Sequence, residues 1–174
     1  VSRLLVLLRH LLAILVLPVV MAGVVPRWLL TRYAAIDSRW WPTSPIVWPM
    51  RVVGALVLLA GVALFSWCVL LFARVGRGTL APWDPTQRLV AVGPYRYLRN
   101  PMITGVAAVL AGLTLITGSW VLALWMLTFV AINTAYFILV EEPGLERRFG
   151  ESYREYRASV PRWIPRRPSV REAR

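Results

Sequence analysis

The chain has no lysine, one cysteine, one histidine and only eight acidic residues among 174. Each shortage closes a class of function. A single thiol, Cys68, excludes an intramolecular disulfide and any metal site built on several thiolates. Set in the middle of an apolar run, it reads as a small buried residue. With so few histidines and carboxylates, no Ser-His-Asp set and no metal-ligand spacing is present. Acidic residues are too scarce to balance the basic ones: all twenty cationic residues are arginine, and the net charge is +12. That charge does not point to nucleic acid. No basic-aromatic nucleic-acid module is visible. The arginines flank apolar runs and crowd the tail, the pattern by which membrane proteins orient themselves and hold anionic headgroups.

What is abundant is apolar. Hydrophobic residues make up 58% of the chain, and the mean hydropathy is +0.61. Runs near twenty residues match the ~30 Å hydrocarbon core at ~1.5 Å per helical residue. The expected fold is all-α, a polytopic integral membrane protein of about four transmembrane helices. An interfacial segment and a C-terminal cytoplasmic amphipathic helix complete it.

The first apolar run covers residues 4–25. Arg3 and Ala22-Gly23 give it a faint signal-peptide look, but its length, with Arg9 and His10 inside, reads as a retained span. Residues 26–51 carry Trp28, Trp40, Trp41, Trp48, Tyr33 and four arginines, the composition of headgroup depth. A short surface helix is expected from Trp28 through Ile36, as an anchor rather than a lid. Residues 52–73 form the second span, with Gly54 and Gly61 permitting close helix contact. A Gly76-Arg77-Gly78-Thr79 loop follows. Its Gly-x-Gly is a weak nucleotide signal, since no strand precedes it.

The third span, residues 102–117, carries Gly105, Ala108 and Gly112 as a stripe of small residues. Gly118-Ser119 leaves room only for a tight turn before the fourth span, residues 120–140. The last two spans therefore form an antiparallel hairpin, which returns Glu141 and Glu142 to the face where Arg96 and Arg99 lie. Beyond it, Leu145, Phe149, Tyr153, Tyr156 and Val160 recur at helical intervals, an amphipathic helix ending near Val160-Pro161. Sixteen of the twenty arginines fall on the side of both termini. The positive-inside rule makes that side cytoplasmic, in what reads as a bacterial plasma membrane.

The chemistry concentrates in residues 89–105, LVAVGPYRYLRNPMITG. Asn100-Pro101 is a strong helix start: the Asn side chain suits capping and Pro suits the first turn. A helix start offers unpaired N–H donors and partial positive charge to a polar or anionic group. The adjacent Glu141 and Glu142 have two readings. They pair with Arg96, Arg99, Arg147 or Arg148, or they accept from a cation or from vicinal hydroxyls such as those of a ribose. Pro143-Gly144 behind them is expected to break the helix and let the chain fold back.

Gly93-Pro94-Tyr95-Arg96-Tyr97-Leu98-Arg99-Asn100-Pro101-Met102, Gly105, and then Glu141-Glu142 with Leu145, Phe149-Gly150, Tyr153, Tyr156 and Val160-Pro161 resemble the isoprenylcysteine carboxyl methyltransferase and phospholipid methyltransferase family. The resemblance covers residues 76–165. It implies a membrane-embedded methyltransferase using S-adenosylmethionine and no metal. It places Gln87, Arg88, Leu89, Val90, Tyr95, Asn100, Pro101, Met102, Ile103 and Glu141 around the cofactor, with Glu142 a close second and Gly93 of the same motif beside them. Read from the residues themselves, Arg96, Arg99 and Glu142 are the catalytic candidates, the two arginines for the polar head of the acceptor. Asn100 stands where eukaryotic relatives have histidine, and Ile103 where tyrosine is common. Phe137 stands where the prenylcysteine enzymes place an arginine that meets the substrate carboxylate. Either Arg96 or Arg99 substitutes for it, or the substrate is not that carboxylate.

The chain divides accordingly into N-terminal spans (1–75), a methyltransferase-like core (76–165) and a basic tail (166–174). A sulfonium donor is already activated, so the protein has mainly to align the groups and exclude water. If the nucleophile is an amine or hydroxyl, Glu142 or a tyrosine is a candidate base. The acceptor is lipophilic: a thiol-linked carboxylate, a phospholipid amine or a small hydrophobic metabolite. Two other readings compete, an NADPH-dependent lipid reductase and a non-catalytic membrane protein that keeps the pocket. Oligomeric state stays open.

Overall fold

Pro18 stands inside the first apolar run, and a proline there has no N–H to give the helical ladder. In the computed structural model, which describes residues 15–37, 39, 45–72, 74 and 89–165, the run forms a π-type helix, α1 (Leu15–Val24). The wider turn accommodates the missing donor. It passes directly into α2 (Val25–Arg32), with Pro26 in the first turn. The indole N–H of Trp125 donates to the Met21 carbonyl at 3.0 Å, tying α1 to the helical hairpin. The expected separate surface helix from Trp28 to Ile36 is therefore corrected. The apolar run carries on as helix to Arg32, and turns follow to Ile36. Arg9, His10 and the Gly76-to-Thr79 loop lie outside the described residues.

Among the described residues, two helices are long and apolar enough to cross a membrane. One is α3 (Val47–Leu71). The other is the continuous run that opens with α5 (Trp120–Tyr136), passes through a π-type stretch (Phe137–Glu141) and closes with α6 (Glu142–Phe149). Between them lies the shorter apolar α4 (Pro101–Thr117). No strand occurs among the described residues.

Among the described elements the α3–α4 contact is the most extensive, and glycine sets its closeness. A Cβ on Gly61 would stand 2.6 Å from the Gly105 carbonyl oxygen, and one on Gly112 would stand 2.6 Å from that of Gly54. Position 54 faces 112 while 61 faces 105, so the two helices are antiparallel with backbones nearly touching. Small residues at spacings of seven allow this approach.

Gly118, at φ +65°, closes α4 in the left-handed conformation. Ser119 then caps α5 by accepting from the Leu122 N–H at 3.1 Å. The hairpin expected from Gly118-Ser119 is present. Asp37 adds a strap to it, accepting from the Ser119 hydroxyl at 2.6 Å and from the Val121 N–H at 3.3 Å. At this same end, opposite Glu142, the Arg51 guanidinium lies over Trp48 and that of Arg32 over Tyr33. Trp48 is exposed and Tyr33 half-buried.

The expectation that Pro143-Gly144 breaks the last span is also corrected. Pro143 follows the π-type stretch directly, in the first turn of α6, and the helical run continues through it to Phe149. The chain turns instead at Gly150, at φ +55°. The single amphipathic helix expected there is two, α6 and α7 (Glu151–Ser159). Tyr153 and Val160 are buried on the inner face, and the helix ends before Val160-Pro161 as expected.

Candidate active site

Antiparallel packing gathers one end of the molecule: the last turn of α3, the loop before α4, the end of α5 with α6, and the segment after α7. The loop turns through a short 3-10 helix (Gly93–Arg96). Gly93 adopts φ +58°, and a side chain there would meet Leu71 at 2.7 Å. The turn drives Tyr95 inward, 7% exposed, into a cluster with Val90 and Cys68. Leu64, Leu71, Phe72 and Met102 close around it. The Phe72 and Tyr95 rings are 5.5 Å apart. Burial, with the Cys68 thiol beside it, holds the Tyr95 phenol protonated well above its usual range.

Asn100 follows, 2% exposed. Its carbonyl accepts from the Thr104 N–H at 3.1 Å and the Thr104 hydroxyl at 2.8 Å, opening α4. The expected side-chain cap does not form. With φ −127° and ψ +50°, the residue starts the helix through its carbonyl alone. The Asn100 Nδ2 is buried without a partner among the described residues, and so is the Nε of Arg99. Buried donors left unpaired are costly, and here two stand in succession.

Glu142, 6% exposed, is the hub. Arg99 Nη1 donates to its Oε1 at 2.9 Å. Arg162 donates through Nε to Oε1 at 2.9 Å and through Nη2 to Oε2 at 3.0 Å. This bidentate hold raises the Arg162 guanidinium above its usual range, the Glu142 hydrogen bonds being the main cause. The backbone joins as well. The Arg99 N–H donates to the Pro161 carbonyl at 2.9 Å, and the Tyr156 hydroxyl donates to the Tyr95 carbonyl at 2.7 Å. Burial is the first cause holding the Tyr153 and Tyr156 phenols above their usual range.

The expected site residues thus divide. Val90, Tyr95 and Met102 share one cluster, and Arg99 meets Glu142 directly. Pro101 is buried at the start of α4, Leu89 is half-buried, and Ile103 packs toward α5 on the cluster of Val106, Leu110 and Phe129. Arg96 is exposed and stands apart from the Glu142 hub. Gln87 and Arg88 lie outside the described residues. Glu141 makes no hydrogen bond or ion pair among the described residues; Arg148 and Glu142 act on it through space. Phe137 is buried, 7% exposed, on the π-type stretch.

Arg162 was not singled out by sequence reasoning, because it is one of nine arginines after Glu142 and nothing local marks it. The inward face of α7 was visible in the spacing of Tyr153, Tyr156 and Val160, but its contact with residues 95–99 was not.

A family described as phospholipid methyltransferase matches residues 49–152, well over half of the chain. The chain belongs to that family, one of membrane methyltransferases acting on lipids. No curated protein and no solved structure matches it.

Proposed function

We propose that this protein transfers a methyl group from S-adenosylmethionine to the headgroup of a membrane lipid, at the end where α4 begins and α5 runs into α6. The observation that carries this reading is the Arg99–Glu142 contact, which pins the Asn100-Pro101 helix start to the acidic end of its hairpin partner.

The polar groups left over there suit this donor. The unpaired donors, Arg99 Nε and Asn100 Nδ2, fit the acceptors of the cofactor, its carboxylate and ring nitrogens. Glu141, in no ion pair among the described residues, fits its ribose hydroxyls. The cofactor supplies an electrophilic methyl on a sulfonium. The chain's own residues bind, orient and exclude water. Val90, Tyr95 and Met102 form the apolar wall. Glu142 has both oxygens held by arginines, so its part is to position Arg99 rather than to take a proton. Arg96, exposed beside the loop, is placed to meet the phosphate of an incoming headgroup.

Phe137 supports a lipid acceptor: a buried phenylalanine offers nothing to a prenylcysteine carboxylate, which favours a headgroup nucleophile such as a neutral amine over a carboxylate met by Arg96 or Arg99. In this reading α1 with α2, α3, α4 and α5 are four spans. Both termini and the site lie on the arginine-rich cytoplasmic side of a bacterial plasma membrane.

The test is transfer from methyl-labelled S-adenosylmethionine to vesicles of phosphatidylethanolamine or to a prenylcysteine, read by mass spectrometry of the extracted products. Label in the phospholipid supports the reading, and label only in the prenylcysteine contradicts the choice of acceptor. No label, with no binding of the donor, refutes the enzyme.

A further inference from the structure

We propose that Arg162, which lies beyond the residues matched by the family, is a positioning residue for the methyl-transfer site and acts on it through Glu142. The inference rests on the function proposed above and extends it to a part of the chain that the match leaves out.

Three contacts carry it, all from the segment after Gly150: one runs to Glu142 at the start of α6 and two to the loop before α4. Arg162 grips both oxygens of Glu142, which fixes the plane of the carboxylate. Arg99 reaches only one of those oxygens, so where its guanidinium rests depends on how Arg162 holds their common partner. Pro161 accepts the Arg99 N–H, and the Tyr156 hydroxyl holds the Tyr95 carbonyl. Residues 95 and 99 are thereby clasped on the backbone, and Asn100 with its unpaired Nδ2 follows directly. A group held at two points varies less in position than one held at a single point, and misplacement by an ångström is costly to catalysis.

The exposures separate positioning from simple stability. The Arg162 side chain is 26% exposed, that of Arg99 12% and that of Glu142 9%. Arg162 is thus the outermost of the three. Removing it leaves a neutral Arg99–Glu142 pair in place and opens its site to water rather than leaving a dry void. The expected loss is in the precision of Arg99 and Asn100, with the fold retained.

The experiment compares Arg162→Gln and Arg162→Lys with Arg157→Gln in the full chain in lipid nanodiscs. Arg157 is an exposed control that pairs with Glu146. The readouts are methyl transfer with kcat and KM resolved, thermal unfolding, and amide exchange over residues 95–100. Arg162→Gln is expected to lower kcat/KM for the donor roughly tenfold or more and to speed exchange at 95–100. Its unfolding midpoint should match that of Arg157→Gln. Arg162→Lys, which keeps the charge but loses the planar fork, should recover part of the activity. Wild-type kinetics and exchange in Arg162→Gln would overturn the proposal, as would equal losses in both Arg162 variants that merely follow a lowered midpoint. An inactive wild type instead refutes the methyltransferase reading itself, so the two failures are distinct.

Discussion

The Arg99 guanidinium stands 2.9 Å from the Glu142 carboxylate, joining residues 43 positions apart across the open end of a helical hairpin. The contact is nearly dry, with the side chains 12% and 9% exposed. Glu142→Ala would leave two guanidiniums facing each other without their shared counter-ion, and breaking such a buried pair costs about 3–5 kcal/mol. A clearly lowered unfolding midpoint in detergent checks this. Arg96→Ala, at an exposed position in the same loop, should leave the midpoint unchanged.

A second prediction concerns the glycines. Gly112→Val would drive a Cβ to 2.6 Å from the Gly54 carbonyl and 2.7 Å from the Leu58 backbone nitrogen, contacts that no flexible side chain can yield. Overpacking of this kind costs about 1–3 kcal/mol. Gly144→Ala meets nothing within 4 Å and removes a flexible residue from α6, so it should stabilise slightly. Thermal unfolding of the two variants should move in opposite directions.

How far the sequence revealed this end of the molecule differs from residue to residue. Gly54, Gly61, Gly105 and Gly112 stood at spacings that permit close helix contact, without naming the partner helix, and Gly118-Ser119 forced the hairpin, because both are local consequences of backbone geometry. That hairpin alone carried Glu142 back to Arg99. The path after Val140 was harder to read. Pro143 is a helix breaker in most settings, yet here it follows a π-type stretch and α6 continues through it. Arg162 could not be told from its neighbours, since the choice among nine arginines depends on a turn at Gly150 and on the docking of α7. Asn100 was legible as a helix start, but its buried amide, left free, becomes visible only once the surrounding atoms are placed.

The strap at the opposite end gives a third prediction. Asp37→Ala removes acceptors from both the Ser119 hydroxyl and the Val121 N–H. Loss of such a cap costs about 0.5–2 kcal/mol. Because Asp37 and Ser119 share one network, the double variant with Ser119→Ala should lose less than the two single losses added together. A double-mutant cycle on unfolding free energy measures the coupling.

Alkaline titration supplies a fourth. Tyr95, Tyr153 and Tyr156 have their phenols raised by burial above the usual value near 10. A group raised in the folded state contributes stability that is complete below its unfolded value. That contribution is lost as pH climbs from there through the folded value. The contribution of these three phenols should therefore stay complete up to about pH 10 and be lost above. In phenolate absorbance, these three of the six tyrosines should ionise late, together with unfolding. Early ionisation of all six in the folded protein would show that the Tyr156–Tyr95 contact is open.

The most direct test of the central claim is calorimetric titration of the purified protein in nanodiscs with S-adenosylhomocysteine, set beside the Asn100→Ala and Glu141→Gln variants. The account predicts saturable one-to-one binding by the wild type and a marked loss of affinity in both variants at unchanged unfolding midpoints. Absence of binding to the wild type, or full affinity in both variants, would contradict it.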